Sequence, residues 1–199
     1  MKRIFKIALV LIVIILIEIC INLGIVYLLS LGETVKVTKN LSKYDDVIGE
    51  KAKGNYENKW DMSEEIFPKS INDLEVKDFK MVYYNPWDAQ YLSYLVVDYN
   101  EEEYNKELER LNKVGIDKYI GYYGVTGFTK YKLLAMEADS YNGFVYAITK
   151  DTRVIYVEII FCNYFMDLDY KKHINEDYLP DGFDASIDNK YKQSMMEAK

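Results

Sequence analysis

Apolar residues are distributed along this chain in three regimes. From Ile7 to Leu31 they are continuous: 18 of the 25 positions are Ile, Leu or Val, and only Glu18, Asn22 and Ser30 resist an apolar medium. A helix spans the hydrocarbon core of a bilayer with about 20 residues, so this run predicts a transmembrane anchor. It exceeds the ~7–15 residues usual for a signal-peptide core, which favours an uncleaved anchor. Ile17-Glu18-Ile19 ahead of Cys20 also excludes a lipoprotein signal, which needs small residues there. From Gly32 to Asp61 no apolar period is sustained, and the Lys, Asn, Glu and Gly composition predicts a tether. From Met62 to Asp188 short apolar runs punctuated by turn residues predict a folded domain. Residues 1–6 read as a basic N-terminal tail and residues 189–199 as a C-terminal tail.

Within the domain the dominant period is two. Lys132–Ala138, Phe144–Thr149 and Val154–Cys162 are rich in β-branched and aromatic residues and predict three consecutive antiparallel strands. Asn142-Gly143 supplies residues suited to a tight hairpin, and Lys150-Asp151-Thr152-Arg153 the second break. Counting from the hairpins puts Leu133, Ala135, Glu137, Phe144, Tyr146, Ile148, Ile155, Val157, Ile159 and Phe161 on one face. Leu134, Met136, Ala138, Val145, Ala147, Tyr156, Glu158 and Ile160 then share the other. That second face is too apolar to be wet, so a helix, the linker or another chain should cover it.

Val76–Tyr84 and Tyr91–Tyr99 predict two further strands, joined by the turn Asn85-Pro86-Trp87-Asp88. Asn100 is a helix N-cap with Glu103 at capping-box spacing. Tyr104, Leu108 and Leu111 form an apolar stripe, and Gly115 marks the helix end. The predicted class is α+β: an N-terminal transmembrane helix, then a mostly antiparallel sheet of about five strands with one principal packed helix. Pro180-Asp181-Gly182 predicts a turn in an acidic, irregular C-terminal stretch.

Charge narrows the partners. Setting aside Lys2, Arg3, Lys6 and Glu18, the remainder carries 22 basic and 31 acidic residues, near −9. Taken as a whole, such a domain repels phosphate backbones and anionic lipid head groups, so no nucleic-acid partner is expected. Lys2, Arg3 and Lys6 before the apolar run, against Lys36, Lys39 and Lys43 after it, nearly balance the positive-inside rule. The shorter approach and the free amino group favour a cytoplasmic N-terminus. That places the chain in the cytoplasmic membrane, single-pass, with its domain extracytoplasmic. Cys20 and Cys162 lie in an anchor and a strand and cannot pair, so core burial must hold the domain.

Candidate chemistry is sparse. His173 is the only histidine, and no nucleophile elbow accompanies it. One His and one strand Cys fall short of a zinc site. Asp167-Leu168-Asp169 starts like a calcium loop, but Lys171 and Lys172 stand where a ligand and a glycine are wanted. Gly121-x-x-Gly124-x-x-Gly127 lacks the Lys-Ser/Thr ending of a phosphate loop. No catalytic residue, metal ligand or cofactor site is assigned. Glu137 and Glu158 could form an acid/base pair only on a shared face, and the simple register separates them unless a bulge intervenes.

Two features remain. Glu18 and Asn22 lie one turn apart in the anchor, a polar stripe suited to another membrane helix or a second copy. The 20 tyrosines concentrate at Tyr83, Tyr84, Trp87 and Tyr91 and again at Tyr119, Tyr122 and Tyr123, a candidate binding surface for protein, peptide or glycan. The expected function is a membrane-anchored envelope binding or accessory module. The alternatives are an envelope hydrolase using acidic residues and a homo-oligomeric structural membrane protein.

Overall fold

The structure, a computed structural model, describes residues 12–25, 34–48, 52, 59–60, 62, 65–85 and 88–198. The chain divides between Thr34 and Val35 into two units. The first contains helix α1, residues 12–25. Among the described residues no helix is long and apolar enough to cross a membrane. The expected span at 7–31 is described only over those α1 positions, and the tail at 1–6 lies outside the described residues.

The second unit is built on a six-stranded antiparallel sheet. Its strands are β1 (Thr34–Thr38), β2 (Glu75–Asn85), β3 (Gln90–Asp98), β4 (Lys132–Asp139), β5 (Gly143–Lys150) and β6 (Arg153–Ile160), in the spatial order β1-β2-β3-β6-β5-β4. Five strands follow the runs of β-branched and aromatic residues. The sixth, β1, comes from the expected tether. That segment also supplies the short helix α2 (Tyr44–Val47), and Tyr44, Val47, Ile48, Ala52, Lys59 and Met62 are all buried. The described residues between 35 and 62 are therefore part of the domain. Tyr44, Val47, Ile48, Ala52 and Met62 are too widely spaced for a period, yet each is buried, while Val35, Val37 and Leu41 stay exposed.

The principal helix α3 spans Glu101–Val114. Asn100 caps it by accepting from the Glu103 amide at 2.9 Å, and Gly115 ends it with φ +86°. Leu111 is fully buried, with Tyr104, Leu108 and Val114 packed beside it. After α3 the chain runs along the outer margin of β4: Met136 donates to the Gly115 carbonyl, and Asp117 donates to that of Met136. One sheet edge is thereby guarded.

Each face of the sheet has its own core. The helix face carries Phe79, Met81, Leu95, Val97, Val145, Ala147, Val154, Tyr156 and Ile160 beneath α3 and Tyr44, Val47, Ile48, Met62, Ile66 and Phe67. The aromatic face carries Val82, Tyr94, Phe144, Tyr146, Ile148, Ile155, Val157 and Ile159 beneath the loop at 119–128 and the segment 161–185. Both covers come from the chain itself.

The expected faces hold for β5 and β6 but not for all of β4. A bulge between Leu133 and Ala135 inserts Leu134, and both Leu134 and Ala135 join the helix-face core. Met136 and Ala138 consequently turn to the aromatic face, opposite to the expectation. The first hairpin also differs. Its turn is Ser140-Tyr141-Asn142, held by Asp139 Oδ1 accepting from the amides of Tyr141 and Asn142 at 2.8 Å each. Gly143 instead begins β5 at φ +101°, where a Cβ would collide with the Ile159 carbonyl oxygen and come 2.9 Å from the Phe161 ring.

The C-terminal tail folds too. Asn189 caps helix α4 (Lys190–Glu197) through the Lys192 amide and donates to the Tyr164 carbonyl at 2.9 Å. Tyr191 of α4 packs on Tyr123, ring centroids 4.8 Å apart.

Candidate functional site

Three places carry polar or aromatic groups that the sequence singles out, and the folded unit adds a fourth. The first is α1. Glu18 and Asn22 lie at positions i and i+4, on one helix face. The Asn22 side-chain amide donates to the Glu18 backbone carbonyl at 2.8 Å, so the stripe is pinned to the helix. Every side chain from Ile12 to Ile25 is exposed; among the large aliphatic ones the exposure runs from 47% to 64%.

The expected tyrosine surface is divided. Tyr83 and Tyr84 are half-buried on opposite faces of β2, Tyr83 toward the helix-face core and Tyr84 toward the aromatic one. Tyr91 is completely buried beneath Tyr83, ring centroids 5.3 Å apart. Trp87 lies outside the described residues. Tyr119 and Tyr122 are half-buried, packed on Phe128 and Tyr191. Tyr123 is a core residue, edge-on to Phe144 and Phe161, with its hydroxyl donating to the Ser140 carbonyl at 3.0 Å. It adopts φ +52°, ψ +30°, a left-handed backbone that aims its ring inward. Composition alone cannot separate Tyr91 and Tyr123 from Tyr119 and Tyr122. Missed from the sequence are Phe128, Tyr131, Tyr141, Tyr178 and Tyr191, half-buried around the same core.

The spaced glycines have a structural role. Gly121, Gly124 and Gly127 have φ of +90°, +79° and +141°. Gly124 faces Gly182, where a Cβ on either would approach the other's carbonyl oxygen to 2.8 or 2.5 Å. Thr126 donates to the Asp181 carbonyl and Asp181 to that of Gly127, each at 2.8 Å, so two loops pair backbone to backbone.

The fourth place lies under residues 44–62, on the helix face. Glu158 of β6 is 0% exposed and Lys59 is 6% exposed. The Lys59 ammonium lies 2.8 Å from Glu158 Oε2, donates to the Val47 carbonyl at 3.0 Å, and sits 5.5 Å from the Tyr91 ring centre. Ser93 of β3 donates to Glu158 Oε1 at 2.8 Å. Both carboxylate oxygens are therefore engaged, by a cation and by a hydroxyl. Burying two charges is repaid only with such saturation.

The bulge in β4 also settles where Glu137 stands. Glu137 pairs with Val145 and Val145 with Glu158, so the two glutamates share the helix face, contrary to the simple register. Two strand spacings separate their backbones, about 10 Å. Glu158 is sealed from solvent by Lys59 and Ser93, an arrangement suited to holding a segment in place rather than to activating water.

A second polar network lies beside it. Glu107 of α3 accepts from Arg110 Nη2 at 2.6 Å and Nε at 2.8 Å. Tyr156 donates to Glu107 Oε1 at 2.5 Å, which leaves Tyr99 to donate to Tyr156 at 2.7 Å. Arg110 also donates to the carbonyls of Glu65 and Ile66. Like Lys59, it ties the N-terminal segment to the domain.

The remaining titratable candidates are occupied by local partners. His173 is half-buried and its pKa is lowered, by burial first and then by the Lys80 cation. Cys162 is buried, accepts from Asn163 Nδ2 at 3.1 Å, and has its thiol pushed up to about 12 by burial and by its bond with Asp88. It is a poor nucleophile there. Asp169 pairs with Lys172 at 2.8 Å, Asp177 with Lys130, and Asp167 with Gln90 at 3.1 Å. Among the described residues no group of three or more His, Cys, Asp or Glu side chains could hold a metal.

Comparison with known protein families, curated proteins and solved structures finds no match for this chain.

Proposed function

We propose that the chain is a single-pass protein of the cytoplasmic membrane, anchored by residues 7–31, whose extracytoplasmic domain is a binding or accessory module of the cell envelope. The observation that carries this reading is α1: a helix of Ile, Val and Leu exposed on every side, inside a longer apolar run. A helix apolar all round gains free energy in lipid or against other helices, not in water. A charged residue at the centre of a spanning helix costs about 2.5–3.5 kcal/mol on insertion scales, which a facing partner offsets. Glu18 and Asn22 thus form the contact with a second membrane protein or a second copy. The half-buried tyrosines around the aromatic face supply a contact surface outside the membrane.

The test is the full-length chain in its own membrane. After an alkaline wash it is expected to stay with the membrane, and in-cell crosslinking should trap a defined species that weakens several-fold in Glu18→Leu. Release by the alkaline wash contradicts the anchor. An unchanged crosslinked species in Glu18→Leu contradicts the role of the polar stripe.

A further inference from the structure

On the anchor reading above, we infer that residues 35–43 form a second membrane contact, with the free margin of β1 and the turn after it lying against anionic phospholipid head groups. Among the described residues β1 ends the sheet and no strand lies beyond this margin. Edge strands are usually short, charged and guarded against pairing. β1 is short and carries Lys36, yet it also exposes Val35 and Val37, and Leu41 follows on the next turn. The other exposed large aliphatic residues described in this unit, Ile116, Ile120, Ile187 and Met196, are scattered through the sequence.

Lysines interleave with these apolar residues. Lys36, Lys39 and Lys43 fall within nine positions of a unit that is otherwise acidic, Lys43 paired with Asp46 at 3.1 Å and Lys36 and Lys39 left to meet the lipid. The Lys36 ammonium lies 5.6 Å from the Tyr83 ring centre, on the side of the sheet away from the two valines. An edge-on approach brings both sides to the lipid: the valines to the acyl boundary, the lysine stems snorkelling to phosphate. Lys80, on the neighbouring strand, donates to the His173 carbonyl at 2.6 Å, and its pKa is lowered by burial first and then by the charge of Lys39, with Asp78 opposing. A phosphate at Lys39 would add to the relief that Asp78 gives Lys80. Tyr83 and Tyr84 flank the margin, half-buried, with an apolar body and a polar tip suited to the head-group layer.

Covalent reach agrees. Four residue steps lead from Leu31, where the apolar run ends, to Val35, and they span at most about 14 Å. The strand therefore begins within or just beyond the interfacial layer of any bilayer that holds the run.

The experiment is lysine footprinting of the full-length chain in vesicles, with a membrane-permeant acylating reagent and mass spectrometry. Phosphatidylglycerol-rich vesicles are compared with pure phosphatidylcholine, and Lys106 and Lys150 serve as references. Acylation of Lys36 and Lys39 is expected to fall about five-fold in the anionic vesicles, the protection one basic contact with an anionic surface supplies. About 0.5 M salt should restore it by screening. Equal rates in the two lipids, in a chain that stays with the vesicles through an alkaline wash, overturn the lipid contact and leave the anchor standing. Release by that wash from both vesicles overturns the two together.

Discussion

The two faces of the sheet are closed in different ways. On the aromatic face the buried cover is mainly aromatic, with its charged contacts, Lys80 to the His173 carbonyl and Lys130 to Asp177, toward the margin. Tyr123, Phe144, Phe161, Phe183 and Tyr191 interlock, and two buried hydroxyls end on backbone carbonyls, Tyr146 on Tyr178 at 2.8 Å and Tyr123 on Ser140 at 3.0 Å, while Tyr94 donates to Asp78 Oδ2 at 2.9 Å. On the helix face the cover is held by charge. Lys59 reaches Glu158, and Arg110 reaches Glu107 and the carbonyls of Glu65 and Ile66. The contrast follows from what each cover can bury. The C-terminal cover is rich in aromatic rings and holds itself by apolar area and ring geometry. The segment at 44–67 has fewer large apolar residues, and directional pairs fix its register. A buried ion pair adds little net stability against an apolar substitute, but it penalises any other placement of its partners.

The largest effect expected on this comparison is at Glu158. Glu158→Ala leaves the Lys59 ammonium buried without its counter-ion and should cost about 3–5 kcal/mol in denaturant unfolding. The double change Lys59→Met with Glu158→Leu should recover most of that loss, because the penalty belongs to the unpaired charge. A double variant as unstable as Glu158→Ala breaks the charge-latch account. On the other face, Gly182→Ala should cost about 1–3 kcal/mol, since φ is +79° and the new Cβ meets the Gly124 carbonyl oxygen at 2.5 Å. Its effect should be confined to the aromatic side, read as faster exchange at Tyr123–Gly127 with residues 44–48 unchanged. A smaller loss, about 1 kcal/mol, is expected for Asn100→Ala, which removes only the α3 cap.

The smallest effect is a pH dependence. Asp98 accepts from Arg153 Nε at 2.5 Å and Nη2 at 2.8 Å, and Arg153 holds its carboxyl below the ordinary value of 3.8. A carboxyl lowered in the folded state stabilises fully above its unfolded pKa, and the contribution is lost as pH falls through the folded one. Asp98→Asn should therefore lower stability slightly near neutrality and flatten the acid limb below about pH 4. An acid limb identical to the parent's removes Asp98 from the account.

Local signals made some of this molecule legible in its sequence. Asn100, Glu103 and Gly115 mark the two ends of α3, and the runs at Phe144 and Val154 identify β5 and β6 with their faces. Signals that depend on distant partners were silent. Val35 and Val37 are separated by lysine, and β1 pairs with a strand beginning some forty residues later, so the segment looks like tether. One extra residue at Leu134 is enough to turn Met136, Ala138 and Glu137 to the opposite faces, because the strand period is two. Glu158 stands out as an acid in an apolar strand, yet nothing near Lys59 announces its partner 99 positions away. The tyrosines divide by backbone geometry rather than composition: the left-handed turn at Tyr123 buries it, while Tyr122 beside it stays half-buried.

The most direct test is hydrogen exchange on the full-length chain, parent against Glu158→Gln. The account predicts slow exchange at Tyr44–Ile48 in the parent, where the Ile48 amide donates to the Tyr44 carbonyl at 2.9 Å. It predicts at least tenfold faster exchange there in the variant, with Tyr123–Gly127 and Met166 unchanged, because only the charged latch has been broken. Fast exchange at Tyr44–Ile48 already in the parent would make this segment the loose tether its sequence suggests. Loss of protection on both faces at once would show that the two covers are not held separately.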